Sequence, residues 1–123
     1  TKDKNIECII ENAIGSNFKD QLIGNEFSNI LNGGKGNDIL AGGKGKDKLI
    51  GGQGKDIFKL STGFGYDLIQ DFKNNQDKIF IGSMKKLKLK NKGKDVYIYK
   101  GNDLLAKAKG AKGDLSLKGK YLI

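Results

Sequence analysis

Apolar and polar positions along this chain recur with a period of nine. From residue 33 the pattern reads GGxGxDx, an apolar residue, then any residue, three times in succession: Gly33 to Ala41, Gly42 to Ile50 and Gly51 to Lys59. The last three residues of a unit, such as Ile39-Leu40-Ala41, are too few for a helical turn. They suffice for a short strand whose middle side chain points inward. Stacked, such strands make Leu40, Leu49 and Phe58 one hydrophobic ladder, so the chain reads first as a solenoid of repeats. The same register places Leu22 and Leu31 upstream on that ladder and defines two weaker units, Gly15 to Ile23 and Gly24 to Asn32. Both lack glycine at positions two and four, where Phe18 and Phe27 occupy position four. A left-handed backbone strains a bulky residue, so these turns are expected to have a different shape.

Candidate chemistry follows from the other six positions. Glycine at positions one, two and four is expected to supply positive φ and sharp bends that converge backbone carbonyls. Position six then adds one carboxylate per turn, Asp38, Asp47 and Asp56, with Asp20 in the first weak unit and Asn29 in the second. Converging carbonyls with one carboxylate each suit a hard divalent cation. Metal binding is expected to be weak or absent at the degenerate N-terminal end.

These residues resemble the RTX, or hemolysin-type, calcium-binding repeats of bacterial proteins exported by type I secretion. The resemblance implies an all-β fold, a right-handed parallel β-roll in which two nonapeptides form one coil and several Ca2+ ions sit between turns eighteen residues apart. It further implies that the lower turn gives the carbonyls of positions two and four plus its aspartate, and the upper turn those of positions one and three plus its own. Carried onto this chain, the best-formed site is Gly34, Gly36 and Asp38 below with Gly51, Gln53 and Asp56 above. A second joins Asp20, with the carbonyls of Ser16 and Phe18, to Gly33, Lys35 and Asp38. A third, short of one charge and two glycines, joins Asn29 to Gly42, Lys44 and Asp47. Above them, Gly43, Gly45 and Asp47, and Gly52, Gly54 and Asp56, face a segment of changed register.

That segment, Phe58 to Phe72 followed by Gln76-Asp77-Lys78-Ile79, resembles the family's closing cap at Gly65, Asp67, Ile69, Asp71, Phe72, Asp77 and Ile79. Two extra residues before Thr62 break the period. Phe72 and Ile79 are the expected plug of the solenoid end. Asp67 and Asp71 either complete the uppermost ion sites or are solvated turn residues. Beyond residue 84, Leu87 and Leu89, then Val96 and Ile98, alternate with polar or aromatic residues around the turn-like Lys92-Gly93-Lys94 and Gly101-Asn102-Asp103, which predicts antiparallel hairpins. The expected organisation is a roll over 1–60, a closing cap over 61–83 and a lysine-rich β-hairpin region over 84–123. The resemblance makes that last region an export signal; a structural alternative is that its strands cover the apolar outer face formed by Ile23, Ile39, Ala41 and Ile57.

Composition narrows the function. At 123 residues and 37% hydrophobic, the chain has little apolar surface to set against ordering entropy, so bound ions would be structural and binding energy would become folding energy. A chain that folds only with calcium stays unfolded in the calcium-poor cytosol and folds outside. The absence of histidine removes a histidine-ligated zinc protease and a Ser-His-Asp triad. Cys8 stands alone and reads as a small buried side chain, and Asp95, Asp103 and Asp114 lie beside turns. No segment reads as a transmembrane helix, and the N-terminus lacks the apolar core of a cleaved signal.

The reading is therefore a non-catalytic, calcium-binding C-terminal module of a secreted bacterial protein, its partners calcium and the type I secretion apparatus. The net charge of +9 departs from the family. All 23 basic residues are lysine, twelve of them within 84–123. Codon bias accounts for such a composition, because nucleic-acid sites usually also employ arginine. The alternative is a calcium-stiffened adhesin or surface-layer module whose lysine-rich face binds anionic cell-surface polysaccharide.

Overall fold

The computed structural model describes residues 5–7, 12–61, 65–73, 76–81, 86–111, 115, 117–118 and 121–122. Fourteen strands and no helix occur among them. Nine are three-residue strands separated by turns: β1 (Asn5–Glu7), β2 (Asn12–Ile14), β3 (Gln21–Ile23), β4 (Ile30–Asn32), β5 (Ile39–Ala41), β6 (Lys48–Ile50), β7 (Ile57–Lys59), β8 (Asp67–Ile69) and β9 (Lys78–Phe80). Consecutive strands fall in opposite sheets, so each pairs in parallel with the strand two units away. One sheet runs β1-β3-β5-β7-β9 and the other β2-β4-β6-β8. This is the parallel β-solenoid expected of the nine-residue period.

In β3 to β7 and in β9 the middle of the three side chains points inward, whereas in β8 the last one, Ile69, does and Leu68 turns outward. Leu22, Leu40, Phe58 and Ile79 are paired neighbours in one sheet and fully buried; Leu31, Leu49 and Ile69 form the facing ladder, also fully buried. Each such side chain contributes roughly 1.5–3 kcal/mol by leaving water. Past the insertion before Thr62 the ladder continues, because β8 pairs β6 with Leu49 opposite Ile69, and β9 pairs β7 with Phe58 opposite Ile79. The register lost in sequence is thus regained in space.

The last five strands are β10 (Leu87–Lys92), β11 (Asp95–Lys100), β12 (Asp103–Ala108), β13 (Leu117–Lys118) and β14 (Tyr121–Leu122). β10, β11 and β12 form the antiparallel hairpins anticipated around Gly93 and Gly101, both at positive φ. They do not lie over the outer face. β12 joins β8 in parallel, β14 joins β9 antiparallel, and both sheets are lengthened edge to edge into seven strands. Ile23, Ile39, Ala41 and Ile57 remain half-buried on the outer surface. The solenoid end is closed by Leu122 beyond Ile79 and by Ala108 and Val96 beyond Ile69, with Phe72 packed into the same cluster. Of the sequence expectations, those at Cys8 and Asp114 lie outside the described residues.

Candidate metal centre

The turns stack on two edges of the solenoid. Asp20, Asp38, Asp56 and Asp77 line one edge, and Asn29, Asp47 and Asp67 the other; all seven are buried. Backbone hydrogen bonds between coils hold them in column. The Asp20 N–H donates to Asp38 Oδ1 at 2.8 Å, the Asp38 N–H to Asp56 Oδ1 at 2.9 Å and the Asp56 N–H to Asp77 Oδ1 at 2.9 Å. On the second edge the Asn29 N–H donates to Asp47 Oδ1 at 2.7 Å, and the Asp47 backbone bonds Asp67. One carboxylate oxygen is therefore spent on stapling coils together.

The second oxygen separates the turns into two kinds. In the turns without repeat glycines it is satisfied by the residue four positions back: Asp20 Oδ2 accepts from the Ser16 N–H and hydroxyl, Asn29 Oδ1 from the Asn25 N–H, and Asp77 Oδ2 from the Lys73 N–H. In the others it is buried with no partner: Asp38 Oδ2, Asp47 Oδ2, Asp56 Oδ2 and Asp67 Oδ1. Leaving a buried charged acceptor unpaired is costly, so these four oxygens mark where a cation is wanted. Burial drives the Asp38 carboxyl up to about 6. It drives Asp56 up to about 7, with the carboxylates of Asp77, Asp38 and Asp71 adding to the rise. Burial also raises Asp47 and Asp67, and at Asp67 repulsion from the Asp47 carboxylate adds to the rise.

Glycine at position one has a different role from the one expected. Positive φ occurs at Gly34, Gly36, Gly43, Gly45, Gly52, Gly54 and Gly65, whereas Gly33, Gly42 and Gly51 do not adopt it. What position one requires is space. A Cβ on Gly33 would lie 2.5 Å from Asp38 Oδ2 and 2.7 Å from the Gly51 carbonyl oxygen. The same pair recurs at Gly15, with the Gly33 carbonyl and Asp20 Oδ2, and at Gly24, with the Gly42 carbonyl and Asn29 Oδ1. A position-six oxygen of the lower turn and the position-one carbonyl of the upper turn thus converge on one point. That point lies a bond length from the position-one Cα, so the convergence leaves no room for a side chain there. No three His, Cys, Asp or Glu side chains among the described residues form a metal-binding group, so carbonyls must complete any coordination shell.

The remaining predicted donors fall on these turns in less uniform settings. The Gly34 carbonyl accepts the Gln53 N–H at 2.9 Å, the Ser16 carbonyl accepts the Lys35 N–H at 3.3 Å, and the Gly36 carbonyl lies against Gly54. A carbonyl retains a second lone pair after one hydrogen bond. The side chains of Lys35, Lys44 and Gln53 are exposed, leaving the backbone as their contribution. Non-glycine positive φ occurs among the described residues at Lys86 alone, so Phe18 and Phe27 keep ordinary φ and their turns do differ from the glycine turns. Asp71 stands apart from the columns. Its two oxygens accept the N–H groups of Gly51 and Gly52, both at 2.8 Å, which caps the last glycine turn. Asp77 is the column member that the nine-residue register did not flag as a site. Its signal was present in the triplet Asp77-Lys78-Ile79, which repeats the Asp47-Lys48-Leu49 pattern.

Fold and turns together define a parallel β-solenoid whose two edges carry columns of buried carboxylates. The family model for the RTX calcium-binding nonapeptide repeat, in four copies, matches residues 14–49, 23–58 and 38–69, and the chain therefore carries RTX calcium-binding nonapeptide repeats. Such repeats bind Ca2+, several ions per domain. No curated protein matches the chain. Among the described residues no helix is long and apolar enough to cross a membrane.

Proposed function

We propose that this calcium-binding β-roll acts as a folding switch in an exported protein: disordered where calcium is scarce, folded where it is abundant, and without catalysis of its own. The observation that carries the reading is the set of four buried, unpartnered carboxylate oxygens in the glycine turns. A solenoid that must desolvate them gains a large part of its stability from the ion that compensates them. The ions are assigned to Asp38 with the Gly51 carbonyl on one edge and Asp47 on the other, with Asp56 and Asp67 holding the upper positions. Asp20 and Asn29, already satisfied by Ser16 and Asn25, contribute less. When bound, Ca2+ supplies positive charge; the chain supplies orientation, the stapled columns and the exclusion of water.

Far-UV circular dichroism with calorimetry during a calcium titration, with magnesium as control, tests this. β-structure gained only with calcium, at up to about millimolar concentration, is the expected result. A chain equally folded in chelator at neutral pH overturns the switch.

A further inference from the structure

The outer face of the second sheet carries a pattern that calcium binding does not use. Inward positions of β11 and β12 are taken by Val96, Ile98, Ala106 and Ala108, all buried, so Tyr97 and Lys107 face outward. Strand pairing then defines one transverse row: Lys90 opposite Tyr97, Tyr97 opposite Lys107, Lys107 opposite Leu68, Leu68 opposite Lys48. Lysines recur at every second strand. With neighbouring strands about 4.8 Å apart, their attachment points are about 10 Å apart.

Lys107 at the centre of the row is held in place. Its Nζ lies 4.5 Å from the centre of the Tyr66 ring and 4.8 Å from that of Tyr97, while Lys46 Nζ lies 5.2 Å from the Tyr66 ring on the flanking turn. Hydrogen bonds to both tyrosines favour its charged form. A cation clamped between two rings has already lost most of its rotamer freedom, so binding an anion costs it less. Shallow cavities flank the row at each end, one bordered by Lys88, Lys90 and Tyr99 and the other by Lys46, Lys48 and Tyr66, the latter reaching down to Asn29 and Asp47 of the metal column. No carboxylate occupies the row itself; Asp95, at the hairpin end, accepts the Gly110 N–H.

We propose that this face binds an acidic polysaccharide bearing about one anionic group per two sugar rings, its chain lying across the strands along Lys90, Lys107 and Lys48. Lysines spaced regularly along the row fit regularly spaced charges, and Tyr66 and Tyr97 add hydroxyls and ring edges for the sugars between them. Duplex DNA, with one charge per roughly 1.7 Å of axis, is a poorer match to a row so widely spaced and free of arginine. The face belongs to the folded sheet and does not depend on the folding-switch reading.

The test is binding of the full chain, in calcium and at about 0.15 M salt, to hyaluronan oligosaccharides, with neutral dextran and duplex DNA as comparisons. Circular dichroism confirms that each variant is folded. The variant Lys48→Gln/Lys90→Gln/Lys107→Gln should lose at least about tenfold in hyaluronan affinity, and Lys19→Gln/Lys55→Gln, exposed on the turns, less than about twofold. Failure of the wild-type chain to bind hyaluronan overturns the proposal. So do equal losses in both variants, which would show diffuse charge attraction only, or tighter binding of DNA, which would point to nucleic acid.

Discussion

Asp38 accepts the backbone N–H of Asp20 through Oδ1 at 2.8 Å, across eighteen residues, while its Oδ2 is buried without a partner beside Gly33 and the Gly51 carbonyl. One side chain thus fastens the coil below and faces the coil above. The division of labour lets stapling and ion binding be separated experimentally.

Asp38→Asn keeps an acceptor for the Asp20 N–H and removes the charge. Calcium-dependent folding should shift to about tenfold higher calcium with little loss of ellipticity at saturation, since ligand charge tunes such sites. The converse change, Asn29→Asp, adds a carboxylate above the Asn25 N–H and should lower the calcium midpoint, as titration calorimetry would show.

Gly33→Ala places a methyl group against Asp38 Oδ2 and the Gly51 carbonyl, neither of which can move without breaking the column. A loss of about 1–3 kcal/mol is expected from overpacking. Gly93→Ala meets nothing within 4 Å and pays only for its φ of 64°, about 1–2 kcal/mol. Urea denaturation in saturating calcium measures both, and Gly33→Ala alone should also raise the calcium requirement.

Protons and calcium compete for the same oxygens. The folded-state values of about 6 for Asp38 and about 7 for Asp56 lie above their ordinary value of 3.8. Between about pH 4 and 7 the metal-free folded chain therefore binds more protons than the unfolded one, and its stability falls as the pH rises. In chelator, β-structure should be greatest near the acid end of that window and be lost toward neutrality. The calcium needed for folding should decrease over the same rise in pH. A metal-free chain that grows more stable from pH 4 to 7 would contradict the buried, uncompensated columns.

Phe58→Ala empties the middle of one ladder, between Leu40 and Ile79. The cost should be about 3–5 kcal/mol, enough to prevent folding at any calcium concentration if the total stability is ordinary for a domain of this size. Absence of a calcium-induced rise in ellipticity is the expected outcome.

The nine-residue period by itself determined the strands, the ladder from Leu22 to Phe58 and the carboxylates at Asp38, Asp47 and Asp56, because each depends on local spacing: one inward side chain per three-residue strand and one acid per turn. The hairpins around Gly93 and Gly101 were legible for the same reason, as turn chemistry is local. Tertiary structure alone decided what depends on the neighbouring coil. Gly33 is there for a carboxylate and a carbonyl that meet above it, an approach no single turn reveals. Asp77 joins the column because an irregular turn brings it back over Asp56, and Asp71 caps Gly51 and Gly52 from twenty residues away. The C-terminal strands lengthen the sheets because open edges at β8 and β9 present unpaired backbone groups, a demand that hydrophobic patterning does not record.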